Sequence, residues 1–254
     1  MHLDGQVVAD DSVRSGATRR DRRAFLRVGL GVSASLVAAL AVPGTWGGAA
    51  ALAAEEPGHV SADDALKLLM DGNARYVASQ AAHPAQSAER RMTVAKGQYP
   101  IAAILGCADS RVPPELLFDQ GLGDLFTVRV AGNIANDAII GSIEYAVHHL
   151  HAPLVIVLGH ERCGAIDAAI THSVQGGEVP GHLGALLTPI QPAVAQAKTQ
   201  GGDTLDTAVI ANVGNMTALL KTSQPVLAEL VGHEKVKIVG ARYDLDTGEV
   251  TIVA

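Results

Sequence analysis

The sequence predicts an α/β fold, a mainly parallel central sheet flanked by helices, with an antiparallel edge strand and an N-terminal helical arm. Three observations carry this. Short, wholly apolar runs such as Ile101–Leu105 and Leu154–Leu158 read as strands buried on both faces. Segments of helical period lie between them. Near the C-terminus two strand-like runs flank Asp246-Thr247-Gly248, a hairpin signal that adds an antiparallel edge.

In chain order, Ser61 with Asp64 forms a capping box, and Ala65, Leu68, Leu69, Gly72 and Tyr76 follow at helical spacing. A second amphipathic helix spans about 87–96, then comes the strand at 101. A strand is expected at 125–130, a helix at 139–150 and the next strand at 154. Residues 182–198 and 204–222 read as helices. Pro225 suits the first position of another. Residues 235–243 and 249–253 complete the sheet. Hydrophobic residues make up 48% of the chain but aromatics only 3%, so Ala, Val, Leu and Ile must fill the core.

The first 53 residues read as a leader, and residues 54–254 as one folded domain. Arg22-Arg23-Ala24-Phe25-Leu26-Arg27 resembles a twin-arginine export motif, with Asp21 where Ser or Thr is usual. The apolar run 28–42 is diluted by glycine and serine and is short for a membrane span. Pro43-Gly44 breaks it, and Ala51-Leu52-Ala53 offers a cleavage site. An uncleaved anchor is the alternative. The expectation is export to the periplasm or beyond, with no stable membrane insertion after cleavage. Six basic and four acidic residues fall before position 54, leaving 13 basic against 22 acidic, a net −9, in the domain. An acidic body disfavours nucleic acid as a partner.

Both strand-end motifs carry chemistry. The first strand runs into Gly106-Cys107-Ala108-Asp109-Ser110-Arg111, and the strand at 154 into Gly159-His160-Glu161-Arg162-Cys163-Gly164. In open parallel sheets sites form at the carboxyl ends of strands. The two cysteines are the only ones in the chain. In an exported protein such a pair suits one disulfide, but their place beside His160 and Asp109 argues for thiolates on a metal. Two thiolates and an imidazole suit Zn2+, one ion per subunit. Asp109 is an oxygen donor in reach of the fourth position, and Arg111 is a cation in reach of Asp109. Zinc bound this way acidifies water and supplies a nucleophile near neutral pH. Gly164 lets the backbone approach the metal, with its N–H available to an anion. A closed structural zinc site is the competing reading. His148, His149 and His151 read as a solvated face.

Cys-x-Asp-Ser-Arg followed some fifty residues later by His-x-x-Cys-Gly resembles the signature of β-class carbonic anhydrases. The resemblance runs from about 62 to 253 and includes Val112-Pro113-Pro114-Glu115, Phe118-Asp119-Gln120-Gly121, Val130-Ala131-Gly132-Asn133 and Ser142-Ile143-Glu144-Tyr145. It implies zinc held by Cys107, His160 and Cys163, and reversible hydration of carbon dioxide to bicarbonate. It implies two states of Asp109: on zinc, with the enzyme off, or swung to Arg111, with the enzyme on. Gln98 matches a substrate-contacting glutamine. Phe126 and Tyr145 match aromatics lining a narrow pocket to which a neighbouring subunit contributes, so a homodimer or homotetramer is expected. Relatives that hydrolyse carbon disulfide or carbonyl sulfide supply an alternative substrate, and a zinc-binding protein without turnover is a third reading.

Overall fold

The computed structural model describes residues 60–254. The Arg22-Arg23 motif, the apolar run, Ala51-Leu52-Ala53 and the boundary at 53/54 lie outside the described residues. Helix α1 (Ala62–Val77) starts where expected: the Ser61 hydroxyl accepts the Asp64 N–H at 3.1 Å and donates to the Asp64 carboxylate at 2.7 Å. Ala65, Leu69 and Gly72 form its buried stripe, whereas Leu68 is 47% exposed and stands outside it. A Cβ on Gly72 would lie 1.8 Å from the Phe118 carbonyl oxygen, so glycine is what lets α1 seat against that turn.

Five strands form one sheet in the order β2-β1-β3-β4-β5: β1 (Ala102–Gly106), β2 (Leu125–Arg129), β3 (Leu154–His160), β4 (Lys237–Tyr243) and β5 (Val250–Ile252). All pairs are parallel except β4–β5. The mainly parallel sheet with an antiparallel edge is thus present. Strands β1 and β3 are buried at every residue, which is why they read as unbroken apolar runs. Edge strand β2 is only half-buried.

Helices α2 (Ala88–Val94), α3 (Pro114–Leu117), α4 (Asp137–Glu144), α5 (Gly164–Gln175), α6 (Gly184–Ala197), α7 (Thr204–Thr222) and α8 (Val226–Gly232) complete the fold. Among the described residues no helix is long and apolar enough to cross a membrane.

Four elements depart from expectation, the shortest being α3, a single turn at Pro114–Leu117 with no periodic pattern to announce it. Helix α4 begins two residues early because Asn136 caps it, accepting the Ile139 N–H at 3.1 Å, and the expected continuation to 150 becomes a π-helical turn at Tyr145–His149. Strand β3 runs two residues past Leu158, so His160 is the last residue of a strand rather than part of a turn. Periodicity sets no bounds for helix α5, although the gap from His160 to Cys163 suits a turn at a helix start. The helix opens on glycine and buries only Ile166 and Ala169, too narrow a stripe to register as a period.

Candidate metal centre

Register brings the two motifs together. Strands β1 and β3 are hydrogen-bonded neighbours, with Gly106 opposite Leu158. Cys107 therefore leaves the end of β1 beside His160 at the end of β3. Cys163 is the cap residue of α5, three positions on. The ligand atoms of Cys107, His160 and Cys163 all lie within 4.8 Å of one another, and all three residues are buried.

The donor set fits a tetrahedral soft cation. Sulfurs held at about 2.3 Å from such an ion sit about 3.8 Å apart, and the two Sγ atoms here are 4.0 Å apart. His160 Nδ1 lies 2.8 Å from the Glu161 carbonyl oxygen, which accepts the ring N–H. That leaves a lone pair on Nε2, and Nε2 is buried without a hydrogen-bond partner. Leaving a buried polar atom unpaired costs about 1–3 kcal/mol. A metal ion beside the sulfurs would remove that cost.

The two sulfurs lie within hydrogen-bond reach of one another, at 4.0 Å. The Cys163 thiol, donating to Cys107, holds the Cys107 pKa down to about 4 against its burial, helped by the N–H groups of Asp109 and Gly132. Those N–H groups lie 3.4 and 3.3 Å from the sulfur. The same sulfur–sulfur contact, with burial, pushes Cys163 up. The opposite shifts leave Cys107 the readier of the two to ionise, and a thiolate is the form a soft cation would take.

Asp109 is turned toward Arg111. Its carboxylate accepts Arg111 Nε at 2.9 Å, Nη2 at 2.7 Å and the Arg111 backbone N–H at 2.9 Å. The guanidinium holds the Asp109 pKa well below the usual carboxylate range despite partial burial, and the Arg111 N–H lowers it further. Asp109 Oδ2 is still only 3.9 Å from His160 Nε2. Of the four expected ligands, three are clustered and the fourth waits beside them.

The remaining expected site residues are less convergent. Phe126, on β2, and Tyr145 stack obliquely with ring centroids 6.1 Å apart, and Tyr145 is 47% exposed. Gln98 is exposed in the connection before β1. A Cβ on Gly164 would meet nothing within 4 Å, so packing does not demand glycine there. His148, His149 and His151 are exposed, as a solvated face should be.

Two supporting residues escaped the sequence reading. Arg129 faces Gly106 across the β1–β2 pair, and its guanidinium donates to the carbonyls of Cys107 and Asp109, clamping the metal loop from outside. Buried Asn212, on α7, donates to the Gly132 carbonyl at 2.9 Å and fixes the turn whose N–H meets the Cys107 sulfur. The only local hint was that Arg129 directly precedes the Val-Ala-Gly-Asn motif. Asn212 lies 80 residues from its partner and carried no signal.

Fold and site define an α/β protein with a soft three-donor metal-binding group at the carboxyl ends of two parallel strands. The family model described as carbonic anhydrase matches residues 102–250. Carbonic anhydrase 2 of Mycobacterium tuberculosis is 41% identical over 189 residues, covering 74% of this chain and 91% of that protein. A carbonic anhydrase of Mycolicibacterium smegmatis matches with the same identity and coverage. Among solved structures, a tetrameric β-carbonic anhydrase from Sordaria macrospora superposes with a TM-score of 0.58 at 25% identity, covering 71% of this chain and 91% of that one. The Coccomyxa β-carbonic anhydrase in complex with acetazolamide gives 0.57 at 26% identity, covering 74% and 86%. The chain belongs to the β-class carbonic anhydrases and is an enzyme of that family.

Proposed function

We propose that the enzyme is zinc-dependent and hydrates carbon dioxide reversibly, with Cys107, His160 and Cys163 as the zinc ligands. The observation that carries this is the unpartnered, buried Nε2 of His160 beside two buried sulfurs 4.0 Å apart. Bound there, zinc supplies a nucleophile near neutral pH by acidifying water. Arg111 holds the Asp109 carboxylate to one side, so the fourth position stays open to solvent and substrate. Asp109 is the competing ligand for that position. Phe126 and Tyr145 supply an apolar wall suited to an uncharged, linear substrate, the Gln98 amide a polar contact, and the Gly164 N–H a donor toward bicarbonate. The relatives cited are carbonic anhydrases, which supports carbon dioxide over carbon disulfide or carbonyl sulfide. The Asp109–Arg111 fork, for which a purely structural zinc has no use, supports turnover over simple metal storage.

Residues 1–53 are proposed as a twin-arginine leader and residues 54–254 as the mature, exported enzyme. A homodimer or homotetramer is proposed, because Leu68 on α1 and Tyr145 beside edge strand β2 leave apolar surface exposed. The deciding experiment is stopped-flow carbon dioxide hydration on the mature protein, before chelation, after it and after zinc is restored. Hydration should vanish on chelation and return with zinc. Activity that survives complete zinc removal would overturn the zinc reading.

A further inference from the structure

We infer that Arg162 is a positioning residue for the metal centre, acting through a fork to Asp246 that braces the bridge between His160 and Cys163. The inference rests on zinc being held by Cys107, His160 and Cys163. His160 closes β3 and Cys163 caps α5, so Glu161 and Arg162 alone set the spacing of two ligands. Arg162 has φ 50, in the left-handed region that costs a non-glycine residue free energy. The surrounding structure must hold it there.

The holding comes from a turn 84 residues away. Arg162 Nη1 and Nη2 donate to the two Asp246 carboxylate oxygens at 2.9 and 2.7 Å, a planar bidentate fork. Asp246 is itself set in place, because its N–H and that of Thr247 both donate to Asp244 Oδ1 at 2.9 Å. Glu161 is tied to the same region: its N–H donates to the Tyr243 carbonyl at 2.9 Å, and its carboxylate accepts the Leu245 N–H at 3.2 Å. The Glu161 carbonyl in turn accepts the His160 ring N–H and so aims Nε2 at the sulfurs. The β4–β5 turn thus orients one zinc ligand through Glu161 and spaces the other through Arg162. Groups that orient metal ligands change metal affinity when removed.

The side chains of Arg162 and Asp246 are 48% and 69% exposed. Such a pair adds little to global stability, which makes the proposal separable from a merely structural role. The test is zinc release to a chromogenic chelator, with thermal melting alongside, for wild type, Arg162→Ala, Asp246→Asn and Arg162→Gly. Arg162→Ala and Asp246→Asn should release zinc about fivefold faster at low salt, less than the roughly tenfold to hundredfold of buried ligand-orienting groups because the fork is exposed. Their melting temperatures should move by about 2 °C at most. Arg162→Gly adopts the left-handed backbone without strain and should release zinc more slowly than Arg162→Ala. Added salt should quicken release from wild type more than from Asp246→Asn, which keeps only the Arg162–Glu161 contact at 3.7 Å. Wild-type release rates in both Arg162→Ala and Asp246→Asn overturn the brace, as does Arg162→Gly releasing as fast as Arg162→Ala. A wild-type protein that holds no zinc overturns the underlying metal assignment instead.

Discussion

Replacing Arg111 by Ala tests the switch at the metal centre. The substitution removes the two guanidinium hydrogen bonds to Asp109, at 2.9 and 2.7 Å, but keeps the backbone N–H bond at 2.9 Å that shapes the turn. The loop should therefore keep its path while the carboxylate loses what draws it aside. Two hydrogen bonds to charged groups bias an equilibrium by about a hundredfold to ten-thousandfold when shielded from water. The Arg111 side chain is 52% exposed, so water cuts this to about tenfold toward the metal, still above an ordinary surface pair because the fork is bidentate. Asp109 Oδ2 has little distance to cover, lying 3.9 Å from His160 Nε2. If wild type favours the Arg111-bound state by about tenfold, the two states become about equally populated and turnover at neutral pH should fall about twofold with zinc content unchanged, since no zinc ligand is touched. Hydroxide competes with the carboxylate, so alkaline pH should restore part of the rate. The assay is a pH–rate profile by stopped flow beside zinc analysis of the same preparation. A fully zinc-loaded variant that matches wild type across the pH range refutes the switch.

Other outcomes follow from the same structure. Cys107→Ser and Cys163→Ser should each lose most of their zinc, as metal analysis of the purified proteins will show. Lys in place of both Arg22 and Arg23 should leave precursor in the cytoplasm, while N-terminal sequencing of exported wild type should begin near Ala54. Asp119→Ala should destabilise the fold by about 2–4 kcal/mol by orphaning donors, because the buried carboxylate accepts Arg75 Nε at 2.7 Å and the N–H groups of Ala82 and His83 at 2.9 Å. The melting temperature should drop by about 5–15 °C. Burial raises the Asp119 pKa, but the Ala82 N–H, Arg75 and the His83 N–H outweigh it and leave the net shift downward. Its stabilisation is therefore full above the ordinary carboxylate pKa and fades as pH falls through the lower folded value. The gap between wild type and Asp119→Ala should narrow in acid, measurable by thermal melts from neutral pH downward.

Legibility in the sequence tracked how local each signal was. Helix α7 was read at its true bounds, and the Ser61 cap and the 246–248 turn were visible because each is written in adjacent residues. Helix α5 was not, because its buried stripe is two residues wide. The reach of β3 to His160 was hidden because Gly159 and His160 look like loop residues. They are strand residues because they pair with Arg242 and Tyr243 of β4, and glycine is needed where a Cβ would lie 2.4 Å from Val213. Leu68 shared the periodicity of α1 but not its burial, since only packing decides which side of an apolar face is covered.

The identities of the donors, their position after apolar runs and the family they mark were determined by the sequence alone. Cysteine, histidine and aspartate carry their chemistry wherever the chain takes them, and a buried parallel strand announces itself by composition. Only the tertiary structure decided that Asp109 stands on Arg111, that His160 directs Nδ1 to a carbonyl and leaves Nε2 bare, and that Arg129, Asn212 and Asp246 brace the loops. The braces depend on register between β1, β2 and β3 and on contacts 20 to 84 residues apart in the chain, while the Asp109 and His160 bonds reach one or two residues along a loop whose path those braces hold. No local pattern encodes which of two nearby partners a carboxylate or an imidazole nitrogen will take. That choice is set by distances of a few ångströms, which exist only once the sheet has assembled.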